Sequence, residues 1–352
     1  MASGRLRNAP GMSAADNTRR MLLHSPEAVR REALGFGGSS VTFGSGVAAE
    51  QALTACVAEG LRAAGDRRAV FNLAQSGGGP RDMIPVAAAM GTHPVRMLLV
   101  EVLPPSFVRG IPFGPDEIGD EELSLLAVAG PAQARMLAEA GVSVPFGRRM
   151  DGALQGALAG VWRAYRIRGN LWVDDRFQPI HALWSVRRGA AALGVLPRRF
   201  QGQSTNIGRI PWRQAYRGVR SVSEIQRIVV PSDELLMEHF AALTLVRRMA
   251  GAAGVPVVYY IAPVNLPFQR EFGLMTEEDI GRLGRVTTAL VARMRAEGLE
   301  VIEAPEIPED GFLDRVHLTP SGMRVMADHL VQVLVPRLQR TTPEPPTAVA
   351  LR

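Results

Sequence analysis

Short apolar runs alternate with longer helical patterns along most of the chain, and this alternation predicts its architecture. The apolar runs predict β-strands at residues 33–37, 70–73, 97–102, 257–261 and 300–302. Apolar positions at helical spacing predict helices at residues 46–64, 233–253, 277–297 and 320–338. Ser232 and Thr276 are predicted N-caps of two of these helices. The expected fold is α/β, a three-layer α/β/α sandwich with a mostly parallel five-stranded sheet of flavodoxin-like type.

The spacing between predicted strands breaks once, after the third strand. Residues 106–227, a stretch of about 120 residues, are too long for a simple crossover and predict a helical insertion or lid. The discontinuous core is then expected at residues 28–105 and 228–340, with a flexible segment at 1–27 and a disordered tail at 341–352. The insertion holds all four tryptophans among many arginines, in a pattern that suits either helix packing or binding of a sugar ring. These tryptophans are Trp162, Trp172, Trp184 and Trp212.

The composition excludes several kinds of chemistry, because every basic residue other than histidine is arginine. Without lysine, neither a Walker A phosphate loop nor a lysine Schiff base can form. Cys56 is the only cysteine, so a Cys-based zinc site is also excluded, and its apolar surroundings favour a core position. The histidines outside the last block show no metal-ligand spacing, and no metal or organic cofactor is expected. They are His24, His93, His181, His239 and His329.

Charge and hydropathy limit the expected partners. The chain of 352 residues carries 40 basic and 34 acidic residues, a net charge of +6. This mild excess comes without a nucleic-acid motif, so a solvated arginine surface is expected rather than nucleic-acid binding. No apolar stretch is long enough for a transmembrane helix, and residues 1–20 do not resemble a secretory signal. We therefore expect a cytoplasmic protein as written, or a cell-envelope protein if an upstream segment is missing; the oligomeric state stays open.

A glycine-rich turn follows the first predicted strand, in residues 35–44 (GFGGSSVTFG). Glycines allow a sharp turn at the carboxyl end of a strand, where α/β sheets place their sites. Three interpretations compete: a dinucleotide-binding loop, a plain structural turn, or a turn that presents a nucleophilic serine. The dinucleotide fingerprint lacks its third glycine, and the second strand ends at Asn72 instead of an acidic residue. Ser40 is the favoured nucleophile, with Ser39 as the alternative.

A nucleophilic serine needs a base, and the segment before the last predicted helix offers one. Asp314 and His317 lie three residues apart, so in a turn they can meet on one side. Asp314 would then fix the tautomer of His317, whose second ring nitrogen would face the serine. An Asp–His pair on the surface that caps a helix has the same spacing, so this motif has meaning only together with the serine turn.

Together these blocks resemble the SGNH, or GDSL-type, hydrolase superfamily. Residues 38–44 (GSSVTFG) are similar to its first block, with Ser39 in place of aspartate, and residues 72–77 (NLAQSG) are similar to its second. The resemblance implies Ser40 as nucleophile, His317 as base and Asp314 as its orienting acid. It also implies that backbone N–H groups of Ser40 and Gly77 form the oxyanion hole.

The third block of that family does not match. Its G-x-N-D sequence is replaced by residues 100–106 (VEVLPPS), where a proline offers neither an amide side chain nor a backbone N–H. Asn265 is a candidate replacement donor or substrate contact. Glu101 could bind Arg81 or substrate, or simply reach water at the end of its strand. Arg81 is likewise a candidate substrate contact.

The favoured function is a serine-dependent ester hydrolase that removes an O-acyl group from a small molecule or a glycan. An O-acyltransferase with the same acyl-enzyme is the nearest alternative. A catalytically weak module that binds glycan or a partner, and a nucleotide-binding α/β protein, are the other hypotheses.

Overall fold

The computed structural model describes residues 32–74, 78–91, 94–107, 131–141, 147, 150, 154, 210–222, 228 and 237–340. Five strands form one all-parallel sheet in the order β2-β1-β3-β4-β5. They are β1 (Leu34–Gly37), β2 (Val70–Asn72), β3 (Met97–Val102), β4 (Val257–Ile261) and β5 (Glu300–Ile302). The predicted α/β fold is confirmed, and each predicted strand is correct to within one residue at either end.

Helices cover both faces of this sheet. In chain order they are α1 (Ser40–Phe43), α2 (Leu53–Ala63), α3 (Met83–Ala89), α4 (Pro131–Glu139), α5 (Trp212–Ala215), α6 (Met237–Ala252), α7 (Leu266–Glu271), α8 (Glu277–Ala296) and α9 (Pro320–Arg340). On one face α2 packs against α9, and on the other α3 packs against α6. Residues of α8 contribute to both apolar clusters.

Strand β4 shows why the sheet needs both layers. Val257, Tyr259 and Ile261 belong to the apolar cluster on the α3 and α6 side, whereas Val258 and Tyr260 belong to the cluster on the α2 and α9 side. All five residues are buried. Successive strand side chains point to opposite faces, so a continuously apolar run is stable only when helices cover both of them.

The strand order reverses direction between β1 and β3. The chain leaves β1 through α2 to reach β2 on one side, and then returns through α3 to β3 on the other side. These two connections run on opposite faces, so they diverge at the carboxyl ends of β1 and β3, which is where open α/β sheets place their sites. The turn after β1 and the last residues of β3 both lie at this end of the sheet.

The helix predictions hold with four differences. Residues 46–52 are not α-helical: Gly46 has a φ of 91°, and a 3₁₀ turn at Ala49–Gln51 precedes α2. Helix α3 was not predicted. All seven of its residues are buried, so its sequence lacks the alternation of apolar and polar positions that marks an amphipathic helix. The short helices α1 and α7 were also missed.

Helix α8 begins at the predicted cap. The Thr276 hydroxyl accepts a hydrogen bond from the backbone N–H of Asp279, and the Asp279 carboxylate accepts one from the Thr276 N–H, which forms a capping box. The prediction for Ser232 lies outside the described residues, as do the segments 1–27 and 341–352 and most of the predicted insertion. In the part of the chain that the structure describes, no helix is sufficiently long and apolar to span a membrane.

Candidate active site

The turn after β1 carries Ser40 at the carboxyl edge of the sheet. Ser39 is the N-cap of α1, and its hydroxyl accepts a hydrogen bond from the N–H of Val41 at 3.3 Å. Ser40 is the first residue of this helix and is half-buried. The helix ends at once, because Gly44 takes the left-handed conformation with a φ of 86°. A dinucleotide loop would lead into a longer helix, so this geometry favours a turn that presents one side chain.

The loop before α9 carries Asp314 and His317. An isolated antiparallel bridge between Phe312 and Leu318 closes its base, and the N–H of Leu313 donates to the carbonyl of His317 at 2.8 Å. The Asp314 Oδ1 accepts the backbone N–H groups of Val316 at 3.0 Å and of His317 at 2.9 Å. This Asx-type turn folds the Asp314 side chain back over the loop, toward the imidazole three residues later.

The two segments meet in a continuous serine, histidine and aspartate chain. His317 Nδ1 lies 2.8 Å from Asp314 Oδ2, and His317 Nε2 lies 2.8 Å from Ser40 Oγ. Both contacts are within hydrogen-bond distance. The structure therefore brings the favoured nucleophile, base and orienting acid together, although Ser40 and His317 are 277 residues apart in sequence.

Burial and hydrogen bonding act in opposite directions on this chain. Burial works to raise the pKa of Asp314, but hydrogen bonds from the His317 side chain and two backbone N–H groups, with the charge of His317, keep this pKa below its usual value. Burial works to lower the pKa of His317, but the hydrogen bond and charge of Asp314 raise it. Each partner thus favours the charged form of the other, as a base that must hold a proton during a reaction requires.

Asn265 is close to this chain but holds the loop in place instead of lining the site. It lies after β4, is fully buried, and caps α7 by accepting the N–H of Phe268 at 3.1 Å. Its Nδ2 donates to the Asp314 carbonyl at 2.9 Å. The prediction that Asn265 contacts substrate or an oxyanion is therefore wrong, because its side chain is fully buried between α7 and the loop and hydrogen-bonds to both.

Glu101 is also placed differently from the sequence expectation. It lies at the end of β3, yet only 4% of its surface is exposed, so it does not reach water. Its carboxylate accepts the backbone N–H and the hydroxyl of Ser39 and the backbone N–H and the hydroxyl of Thr42. These four donors come from either side of Ser40. That Glu101 binds Arg81 or substrate stays a prediction.

Of the two residues predicted to form an oxyanion hole, the structure describes Ser40. The N–H of Ser40 belongs to the first turn of α1, where N–H groups have no partner within the helix. Gly77 lies outside the described residues, while Arg81 lies in the 3₁₀ turn Pro80–Asp82 that follows. Asn72 at the end of β2 donates to the carbonyl of Thr42 at 3.0 Å and accepts the N–H of Ala74 at 3.0 Å. Asn72 thus joins the end of α1 to the loop that leads to Gly77.

Trp212 is the one tryptophan within the described residues, and it packs in the core. It is fully buried and makes an edge contact with Phe268, with ring centroids 5.3 Å apart. Its backbone N–H donates to the carbonyl of Phe312 at 2.9 Å, at the base of the loop that carries Asp314. For this residue the packing interpretation is correct; Trp162, Trp172 and Trp184 lie outside the described residues.

The remaining polar candidates have structural positions where they are described. Cys56 is buried as predicted, and burial raises the pKa of its thiol. His239 is buried, whereas the His329 Nε2 lies 3.0 Å from the carbonyl of Glu303; the other three histidines lie outside the described residues. No group of three or more potential metal ligands occurs among the residues that the structure describes.

Sequence reasoning missed two residues that complete the surroundings of Ser40. The Thr42 hydroxyl contacts both the Glu101 carboxylate and the Tyr260 hydroxyl, and both Thr42 and Tyr260 are buried. Thr42 stands in the quoted first block, so its position was a usable signal. Tyr260 lies inside a uniformly apolar strand, where nothing in the sequence distinguishes it from Tyr259.

Comparison of the sequence with protein-family models and with curated proteins found no match.

Proposed function

We propose that the protein is a serine-dependent ester hydrolase that removes an O-acyl group from a small molecule or a glycan. The observation that carries this proposal is the hydrogen-bonded chain from Ser40 through His317 to Asp314, with 2.8 Å at each contact. A hydroxyl, an imidazole and a carboxylate in this order are the arrangement that activates a serine for attack on an acyl carbon. The resemblance of the surrounding blocks to SGNH hydrolases supports the same assignment.

Formation of the acyl-enzyme would begin at Ser40. The His317 Nε2 takes the hydroxyl proton while Ser40 Oγ bonds to the acyl carbon, and the carbonyl oxygen becomes an oxyanion. Asp314 stabilises the imidazolium through Nδ1. The oxyanion then collapses, the bond to the leaving alcohol breaks, and His317 returns the proton to that alcohol oxygen. The proton that leaves Ser40 thus reaches the leaving alcohol through the Nε2 atom of His317.

Deacylation repeats the sequence with water. His317 takes a proton from the water as its oxygen attacks the acyl carbon, and the proton then passes to Ser40 Oγ as the carboxylic acid leaves. The N–H of Ser40 is the described candidate for an oxyanion donor, and loss of one such donor typically lowers the rate by about 10²–10³-fold. The proline-containing segment after β3 therefore implies a reduced rate unless another group supplies a donor.

The test is hydrolysis of a short p-nitrophenyl ester by the full chain and by single variants. Ser40→Ala and His317→Ala are each expected to lower kcat by at least about 10³-fold, because each removes a group that acts only as part of the chain. Ser45→Ala and His329→Ala are matched controls, because each removes the same kind of side chain from a residue outside the serine, histidine and aspartate chain. Circular dichroism and melting temperature should show that all four variants are folded.

Turnover of Ser40→Ala close to that of the wild type would reject the proposal. Equal losses in the control variants would reject it as well, because the activity would then follow stability and not the serine, histidine and aspartate chain.

A further inference from the structure

A buried carboxylate lies directly beneath the turn that presents Ser40. Glu101 reaches the turn from β3, and its two oxygens accept the backbone N–H of Thr42 at 2.9 Å and that of Ser39 at 3.3 Å, together with both side-chain hydroxyls. These donors come from the residue before Ser40 and from the second residue after it. One side chain thus holds the backbone on both sides of the proposed nucleophile.

The turn is shaped to admit this carboxylate. A Cβ built on Gly38 would overlap the Cβ of Glu101 and lie 2.8 Å from its Oε2, and the φ of Gly38 is 155°. Only glycine therefore allows the Glu101 side chain to pass this close to the backbone. The absence of a side chain at Gly38 leaves room beneath the turn, and the Glu101 side chain fills this room.

The hydrogen bonds continue from Glu101 through Thr42 to Tyr260. Burial, with the negative charge of Glu101, raises the pKa of Tyr260 well above its ordinary value, so this hydroxyl keeps its proton. Tyr260 can then donate to the Thr42 hydroxyl, which donates to Glu101. The network ends on the Glu101 carboxyl group beneath Ser40.

We infer that Glu101 is a positioning residue for Ser40 and that Thr42 and Tyr260 position Glu101 in turn. This inference rests on the proposed function. By fixing Ser39 and Thr42, the carboxylate fixes the N–H of Ser40, which would meet the oxyanion, and the Ser40 hydroxyl, which lies 2.8 Å from His317 Nε2. Misplacement of a reacting group by about 1 Å can cost about 10²-fold in rate.

A purely structural role is a poor explanation for this choice of residue. Burial raises the pKa of Glu101, because the charged form is costly inside a protein, and the four hydrogen bonds offset this only in part. Apolar side chains often stabilise a fold as well as a buried charge does. A carboxylate is needed where four donors must be held together at one point, as they are around Ser40.

The experiment uses two pairs of variants. In each pair one variant removes a hydroxyl of the network, and the other leaves the hydroxyls of the network in place. Tyr260→Phe removes the hydroxyl at the end of the network, and Tyr259→Phe removes an equally buried hydroxyl on the opposite face of β4, where it donates to the Leu243 carbonyl at 2.6 Å. Thr42→Val removes the central hydroxyl, and Thr42→Ser retains it.

Tyr260→Phe and Thr42→Val are expected to lower kcat by about tenfold with an unchanged KM, because the network shapes the reacting centre and does not contact substrate. Thr42→Ser keeps the hydroxyl and is expected to keep kcat close to that of the wild type. Tyr259→Phe is expected to lower only the melting temperature. Glu101→Gln is expected to give the largest loss of kcat, about 10²-fold.

The outcomes separate this inference from the proposed function. If the wild type hydrolyses esters through Ser40 but Tyr260→Phe and Thr42→Val match Tyr259→Phe in kcat, the positioning role is wrong and the proposed function stands. If Ser40→Ala retains activity, the proposed function fails first. The hydroxyl variants keep the Glu101 side chain, so the test does not depend on Glu101→Gln being folded.

Discussion

The two segments that meet at the candidate site are held by different kinds of side chain. The Ser40 turn is fixed by the carboxylate of Glu101, which accepts four hydrogen bonds. The loop of Asp314 and His317 is fixed by the amide of Asn265, which accepts from Phe268 and donates to the Asp314 carbonyl. Both holding residues are buried: Glu101 lies near the end of β3, and Asn265 lies in the segment that follows the neighbouring strand β4.

The difference follows from what each segment presents. The start of α1 offers two N–H groups and two hydroxyls that can all donate, so a carboxylate, which accepts several hydrogen bonds, is the matching partner. The loop offers a carbonyl on one side and the first turn of α7 offers an N–H on the other, so an amide, which donates and accepts, is the matching partner. The type of anchoring residue is thus determined by the backbone groups left unpaired at the site.

The largest effect within the loop is expected from Asp314→Asn. An amide at this position would donate to Nδ1 and force the proton onto Nε2, so His317 could no longer accept the Ser40 proton. We expect kcat to fall by about 10⁴-fold. Steady-state kinetics measures this, with Asp310→Asn as a control at an exposed acid in the same segment. Activity within tenfold of the wild type would contradict the role of Asp314.

Activity and stability are expected to depend on pH in opposite directions around His317. Asp314 raises the pKa of His317, so kcat/KM should fall as pH falls through a value above about 6.5, the ordinary value for histidine. Because the pKa of His317 is higher in the folded protein than in the unfolded chain, this residue stabilises the folded state at pH values below its unfolded-state pKa. The contribution is lost as pH rises through the folded-state pKa of His317.

Kinetic and unfolding measurements across the same pH range test this prediction. The histidine contribution is the difference in unfolding free energy between the wild type and His317→Ala. A contribution that grows with rising pH would contradict the predicted shift, as would an acid limb of kcat/KM centred below the ordinary histidine value.

A smaller effect is expected from Asn265→Asp. This change keeps the oxygen that caps α7 but replaces the Nδ2 donor with an acceptor facing the Asp314 carbonyl. We expect a loss of about tenfold in kcat, from a displaced loop. We also expect a loss of at least about 3 kcal/mol in unfolding free energy, because the fully buried position would hold an uncompensated carboxylate beside an unpaired carbonyl. Thr276→Ala is the matched control, since it removes the cap of α8 at a cost of about 1 kcal/mol. Equal kcat in the two variants would show that Asn265 is only a helix cap.

The sheet was predictable because its strands are short apolar runs separated by helical patterns. Each run in β1, β3 and β4 is buried on both faces, so composition alone identifies it. Helix α3 was not predictable by the same reasoning, because complete burial leaves no polar face. The cap of α7 was a missed signal, since Asn265 precedes Pro267 in the first turn of that helix.

The candidate site was predictable only where its residues form local motifs. Ser40 stands in a glycine turn, and Asp314 and His317 are three residues apart, so each motif is visible in one stretch of sequence. The role of Glu101 depends on the strand order and on the space at Gly38, which are properties of the folded chain. A lone charge in an apolar run gives no indication of which face it occupies or which donors surround it.

The most direct test is to treat the full chain with a fluorophosphonate and map the modified residue by mass spectrometry. The account predicts one covalent adduct, on Ser40, that is abolished in Ser40→Ala and strongly slowed in His317→Ala. No adduct on the folded wild-type protein, or an adduct on Ser39 in place of Ser40, would contradict it.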